Sequence, residues 1–425
     1  MNRLRPRALI TKILGYLAAV ALAAAGSPHA APATGPIIGD DSRPQWLKYK
    51  DGRPFFMCGA GDPEDFLYRG RRNLDGTRSG DQLALINKLK GTGANGIYFQ
   101  AIRSHGGDGA ADHNPFIDSD PARGLDGRIL DQWEAWFKAL QAGGVALYFF
   151  LYDDGARVWD TGNSVGAEER AFVQGIVNRF KHHNLLIWVV AEEYQEAYSP
   201  TRVRNIAAAI RAADDRGHVI AVHKLHGLDF SEFADDPYIK QFAIQYNRRT
   251  PRALHNGIVE AWRKAAGRYS LNMSEAANHG TGVTARKKNW AVAMGGAYVM
   301  VLGMDIASTD PADLRDCGRL VGFMESTNFN AMAPHDELRY QGTEYVLARP
   351  GHSYIAYASR LSGSIGLRSM TPGTYDFLWF DPASGGSVRS AGVKVAAGQQ
   401  AWVKPASIGS EVVVHIHPSS APVQR

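Results

Sequence analysis

Cysteine is almost absent: a chain of 425 residues carries only Cys58 and Cys317. Two thiols exclude a disulfide-built scaffold and a cysteine-rich zinc site. They leave two states open, a single bridge or a pair of buried free thiols. Nucleotide-binding signatures are missing as well. No Walker-type phosphate loop occurs, and no Gly-x-Gly-x-x-Gly immediately follows the first strand-like run. Gly59-Ala60-Gly61 comes near, but it runs into Asp62, whose charge a phosphate would avoid. No nucleophile elbow is read on a strand-to-helix turn, which disfavours a serine esterase.

Net charge is also small. Lysine and arginine number 47 against 42 acidic residues, a formal balance of +5. Arg3, Arg5, Arg7 and Lys12 supply much of the excess, and no acidic residue occurs before Asp40. These bases precede the apolar run Ile13–Ala25 and the small residues Ala31-Pro32-Ala33. A basic start, a short apolar middle and a small-residue cleavage site make up a secretory signal, read here over 1–33. The run is shorter than the ~20 residues that cross a bilayer comfortably. Without this leader, 43 basic residues face 42 acidic ones, a balance of +1. That balance, with no basic cluster, argues against a nucleic-acid partner. The expected location is secreted or periplasmic, with no membrane association after cleavage.

Short apolar runs then alternate with amphipathic stretches. The runs are Pro54–Gly59, Asn95–Ala101, Val145–Tyr152, Leu185–Ala191, His218–His223, Gln241–Tyr246, Tyr269–Ser274 and Tyr298–Gly303. They are short and rich in β-branched or aromatic residues, as strands buried on both faces should be. Helical periodicity marks Ser79–Lys90, Leu130–Ala142, Ala167–Phe180, Pro200–Ala213, Pro251–Ala266, Thr284–Gly296 and Pro311–Ser326. After the fifth run, Phe230–Pro237 has room for one or two turns only. About eight such units predict a (β/α)8 barrel over 40–335, with a doubly wound open sheet as the structural rival. From Glu344 the pattern changes to strand-like runs separated by turns such as Pro350-Gly351 and Pro372-Gly373. An antiparallel β-sandwich is expected over 336–418.

A barrel of this kind places its active site where strands end and loops begin. The polar residues there are Asp62, Arg103, His105, Asp153, Asp154, Glu192, Glu193, His223, His226, Tyr246, Asn247, Glu275, Asn278 and Asp305. Such a lining suits a polyhydroxylated ligand. The carboxylates after the fourth and seventh runs stand out, because glycoside hydrolysis needs two carboxyl groups flanking the bond. One must stay protonated and the other ionised. His223-x-x-His226 lacks a third ligand, and Asp153-Asp154 is explained by sugar hydroxyls or a helix start. No metal and no cofactor are expected.

The motifs Asp51-Gly52-Arg53-Pro54-Phe55-Phe56, Ile187–Tyr194, Ser274-Glu275, Arg286–Met294 and Phe323-Met324-Glu325-Ser326 occur in an order that resembles a known family. This is the apiosidase-like (DUF4038) group of (β/α)8 glycoside hydrolases, within the retaining clan A. Pro372-Gly373-Thr374-Tyr375 and Trp379-Phe380-Asp381-Pro382 resemble the small β-domain, labelled collagen-binding, that often follows this barrel. The resemblance implies a plant or microbial polysaccharide as substrate. It implies that Glu193 is the acid/base and Glu275 the nucleophile. Asp62, Arg103, His105, Asp154, Glu192, His226 and Tyr246 would position hydroxyls. Clan A enzymes usually carry Asn before the acid/base, where this chain has Glu192. Two assignments stay open on that departure: Glu192 as the acid itself, or as a second charge that tunes Glu193. A non-catalytic carbohydrate- or matrix-binding protein is the alternative reading.

Overall fold

The computed structural model describes residues 36–61, 66–104, 115–276 and 279–419, and within them all side chains except those of 301–303. Residues 1–33, expected from the sequence to be a secretory signal, and the candidate residues Asp62, His105 and Asn278 lie outside the described residues.

Eight parallel strands close on themselves: β1 (Cys58–Gly61), β2 (Gly96–Ile102), β3 (Ala146–Tyr152), β4 (Leu186–Ala191), β5 (Val219–Lys224), β6 (Ile239–Gln245), β7 (Ser270–Glu275) and β8 (Tyr298–Asp305). Closure is made by β8 pairing with β1, Val299 opposite Cys58, which excludes the open-sheet rival. Among the described residues seven α-helices cover the outside: α1 (Gln82–Leu89), α2 (Gly127–Ala142), α3 (Ala167–Phe180), α4 (Pro200–Ala213), α5 (Pro251–Ala265), α6 (Gly282–Gly295) and α7 (Pro311–Glu325). Their starts follow capping chemistry. Asp126, Ser199, Thr250 and Asp310 each accept a backbone N–H of the first turn, and the last three precede a proline. Between β5 and β6 the helix shrinks to the single turn Ser231–Phe233. No helix among the described residues is long and apolar enough to cross a membrane.

The first strand starts later than its apolar run suggests. The Phe56 N–H donates to Glu325 Oε1 at 3.0 Å instead of to a ladder, and pairing begins at Cys58. Tyr49 donates to the same oxygen at 3.2 Å, which ties the N-terminal ribbon (Ile37–Gly39 with Leu47–Tyr49) to the end of α7. Cys58 and Cys317 form a disulfide with their Cα atoms 5.2 Å apart, so β1 is bonded to α7. Of the two states left open by the sequence, the structure has the bridge.

After α7 the chain builds a β-sandwich from a six-stranded and a three-stranded antiparallel sheet. Every strand-like run from Glu344 onward becomes a strand, from Tyr345–Arg349 to Val412–Pro418. The six-stranded sheet packs on α5, α6 and α7. Trp290 stacks on Tyr357 (centroids 5.6 Å, planes 7° apart), Tyr357 on Tyr345, and Tyr345 on His255 at 3.9 Å. Arg286 of α6 forks between Asp316 of α7 (3.0 Å) and Glu411 of the sandwich (2.9 Å). Tyr357 donates to the other Glu411 oxygen. The barrel core runs without a break into Leu347, Ile355, Phe380 and Val413 of the sandwich.

Two consequences can be measured. A chain ended at Pro334 would expose Trp290 and Phe323, both buried in the intact molecule. It is expected to aggregate or lose its near-ultraviolet circular dichroism; a monomeric fragment with a cooperative melt would overturn this. Cys317→Ser opens a loop closed over 259 residues. It should lower stability by about 2–5 kcal/mol, read as a drop in Tm that reductant reproduces in the parent chain.

Candidate active site

The alternation of side chains along each strand decides what lines the barrel. Phe99, Phe149, Trp188 and Phe242 point outward: Phe99 and Phe149 pack on Phe137 of α2, Trp188 on Phe149 and His218, and Phe242 on Phe230 and Tyr269. Their neighbours along each strand therefore point inward. The inward set includes Tyr98, Gln100, Tyr148, Phe150, His223, Gln241, Ala243 and Asn272. By strict alternation Glu275 would point outward, in phase with Leu271 and Met273. The ladder slips there: Ile244 faces Met273, but Gln245 faces Glu275, and Ser274 is the extra residue. This bulge turns Glu275 to the inside, level with Gln245.

Glu193 reaches the same place by a different distortion. It follows β4 in a left-handed conformation (φ 33°, ψ 47°), which costs a non-glycine residue ~1–3 kcal/mol. Its N–H donates to His223 Nδ1 at 3.3 Å. Gln245 donates through Nε2 to Glu193 Oε1 at 2.5 Å, and its amide also acts on Glu275. Glu193 and Glu275 thus sit beside one amide, close enough for a hydrogen bond between the carboxyl groups to affect Glu275.

Burial and charge push both carboxyls up. Glu193 is only 8% exposed. Burial first, then the charges of Glu275, Asp154 and Glu196, raises it to about 8. Asp154, Glu193 and Glu196 place oxygens within 4.8 Å of one another, so their charges add to the larger effect of burial. Glu275 is raised by burial, but the Gln245 amide and Glu193 oppose the rise. Of the pair, Glu275 gives up its proton first and Glu193 holds it.

The remaining candidates divide. Glu192 is buried and points into the barrel interior, bonded by the Gln100 amide and 4.0 Å from His223 Nδ1. Asp154 stands at the rim beside Asp153, which accepts the Ser104 N–H at 2.7 Å. Arg103 is almost fully buried, its guanidinium 4.6 Å from the centre of the Tyr68 ring. His226 is exposed on the loop after β5, its N–H donating to Gln195 at 3.3 Å. Tyr246 is not brought to the mouth. Its ring lies on Gly257 of α5 with Arg248 stacked at 4.3 Å, because it shares the outward phase of Phe242 and Ile244.

Gln245, Gln100 and Glu196 were absent from the sequence-derived set. Gln245 was findable: it stands two residues after inward Ala243, and the phase of the run points to it rather than to Tyr246. Gly162–Gly166 has the Gly-x-Ser-x-Gly order, but it lies in the loop before α3, not at a strand end, and Ser164 is exposed. Gly91–Gly96 has the Gly-x-Gly-x-x-Gly order, but it leads from α1 into β2 and opens no helix. A cleft of about 710 Å³ opens at the opposite end of the barrel, beside α7 and the Ser384–Gly385 turn. The one acid in its lining, Glu325, is already engaged by Phe56 and Tyr49. The chemistry is therefore assigned to the mouth.

No family model matches the chain, and no curated protein matches it. Solved structures do. A glycoside hydrolase superposes with a TM-score of 0.67 at 12% identity, over 91% of this chain and 98% of its own. A glycoside hydrolase family 5 structure from Bacteroides vulgatus ATCC 8482 superposes with a TM-score of 0.65 at 14% identity, over 90% of this chain and 94% of its own. At such identities the likeness is one of fold, and it extends over barrel and sandwich together.

Proposed function

We propose that this chain is a glycoside hydrolase whose acid/base is Glu193 and whose nucleophile is Glu275. The carrying observation is the carboxyl pair at the ends of β4 and β7, joined by Gln245 and split electrostatically into a group that keeps its proton and one that ionises first. The fold shared with glycoside hydrolases, and the apiosidase-like motif order, support the same reading. Glu192 is bonded away toward β2, which favours Glu193 as the acid.

The proposed reaction runs in two halves. Glu193 donates its proton to the glycosidic oxygen as that bond to the anomeric carbon breaks. Glu275 bonds to the same carbon, giving a glycosyl ester. Ionised Glu193 then takes a proton from water, the water oxygen bonds to the anomeric carbon, and the ester bond to Glu275 breaks. An inverting site needs ~6.5–9.5 Å between carboxyl groups to seat a water. Two groups close enough to share a hydrogen bond leave no such gap, which supports retention. Asp154 and His226 border the mouth and are assigned to hydroxyl positioning. The substrate class is a neutral plant or microbial polysaccharide, and the disulfide fits an oxidising, extracytoplasmic location.

Glu193→Gln and Glu275→Gln are expected to lower kcat at least 10³-fold on a cleaved glycan, with circular dichroism unchanged. Full activity in either would sink the assignment. In the parent enzyme the rate should fall as pH rises through about 8, where Glu193 loses its proton. Stability follows the same sign. A carboxyl whose folded value is raised stabilises the fold at low pH and loses that contribution as pH rises through about 8. Glu193→Gln should therefore melt higher than the parent at pH 8–9 and gain little at pH 4, as thermal scans will show.

A further inference from the structure

The barrel interior below the carboxyl pair is unusually polar. Tyr98, Gln100, Tyr148, His223, Gln241 and Asn272 are fully buried and point inward. Eight of their atoms meet no partner among the described residues: both amide atoms of Gln241 and of Asn272, Gln100 Oε1, His223 Nε2, and the Tyr98 and Tyr148 hydroxyls. The two hydroxyls lie beside Glu192 and Asn272 without completing a hydrogen bond. Leaving so many buried polar atoms unmet would cost more than the whole margin of a folded domain.

We infer that this interior is a binding site for a cluster of ordered waters that holds His223, and through it the Glu193 peptide, in place. The chemistry selects water. Donors and acceptors are mixed, no cationic side chain among the described residues is seen to face in to hold an anion, and the one bordering carboxylate, Glu192, already accepts the Gln100 amide, so neutral water suits the set better than an ion. Small inward neighbours leave room, since Gln241 lies between Ala221 and Ser270, and Asn272 beside Ala243. Eight atoms at roughly three bonds per water call for about three waters.

The link to Glu193 is a matter of tautomer. His223 Nδ1 accepts the Glu193 N–H, so in the neutral ring the proton sits on Nε2. Burial keeps the ring neutral down to about pH 3. Nε2–H faces the polar interior and needs an acceptor there, which a water supplies. The cluster thus fixes the tautomer that holds the strained Glu193 backbone. His223 is a positioning residue in this account. The link to catalysis rests on the proposed hydrolase reading, whereas the cluster itself does not.

The test has two arms. A crystal structure of the full chain at ~1.2 Å should show about three waters within hydrogen-bond reach of these atoms. A dry interior, with the amides and hydroxyls paired to one another, would overturn the site whatever the protein hydrolyses. In the second arm, Gln241→Met with Asn272→Leu displaces the cluster, and Tyr148→Phe serves as the milder variant should the double one fail to fold. Folded variants should lose roughly tenfold in kcat with KM unchanged and lose the Nε2–H signature in histidine ¹⁵N spectra. An unchanged tautomer and kcat in variants shown to be dry would overturn the positioning role.

Discussion

In a closed parallel barrel, every second side chain is committed to an interior with no other exit. That constraint settles most of this molecule. Outward positions pack the helix ring through Phe99, Phe149, Trp188 and Phe242, and inward positions must fill a narrow space or line the mouth. The site exists because the rule is broken twice at one end. A one-residue slip at Ser274 carries Glu275 across the sheet, and a left-handed turn swings Glu193 toward it. Both distortions cost free energy, and both are offset locally: Gln245 donates to one carboxyl and acts on the other, and His223 receives the strained peptide N–H. A barrel with perfect alternation would leave Glu275 among the helices.

The opposite end and the outer face of the barrel are fastened where the mouth is left open. The disulfide bonds β1 to α7, Glu325 gathers Phe56 and Tyr49, and Arg286 joins α6, α7 and the sandwich. The aromatic ladder from Trp290 through Tyr357 and Tyr345 to His255 has no water-exposed seam to open. Strained, charge-rich mouths are tolerable only on a scaffold whose stability is supplied elsewhere. Here it is supplied by packing the sandwich against α5, α6 and α7, so the sandwich acts as part of the barrel's own support.

Much of this could be read from the sequence. Eight short runs rich in β-branched and aromatic residues announce strands buried on both faces, because no single polar face interrupts them. The change of period after Pro334 marks the sandwich, and the carboxylates after the fourth and seventh runs mark the mouth. What could not be read is direction. The end of the sixth run draws attention to Tyr246, and only its alternation, once Phe242 is known to face the helices, points to Gln245 instead. The choice between Glu192 and Glu193 depends on a left-handed residue, and the inward turn of Glu275 on a bulge. Neither leaves a trace in residue type, since no glycine stands at position 193 or 274. The cysteines stand 259 positions apart, and only the folded path brings their Cα atoms to 5.2 Å.

Net charge and local charge point in different directions, and the difference bears on the chemistry. Residues 34–425 are nearly balanced in charge, yet Asp154, Glu192, Glu193, Glu196 and Glu275 crowd the mouth. Arg103, a base expected at the mouth, lies over the Tyr68 ring. In water such crowding would cost little. In a half-dry cleft it raises the last proton's affinity, which is how a carboxylic acid stays protonated near neutral pH. The same field favours positive charge developing at an anomeric carbon, because an oxocarbenium-like transition state carries that charge where the sugar in its ground state does not. A negative mouth therefore serves both halves of the proposed reaction: it keeps Glu193 protonated for the first bond and stabilises the charge that breaking it creates. A polyanionic glycan would oppose that field, so the site's own charges favour a neutral sugar chain.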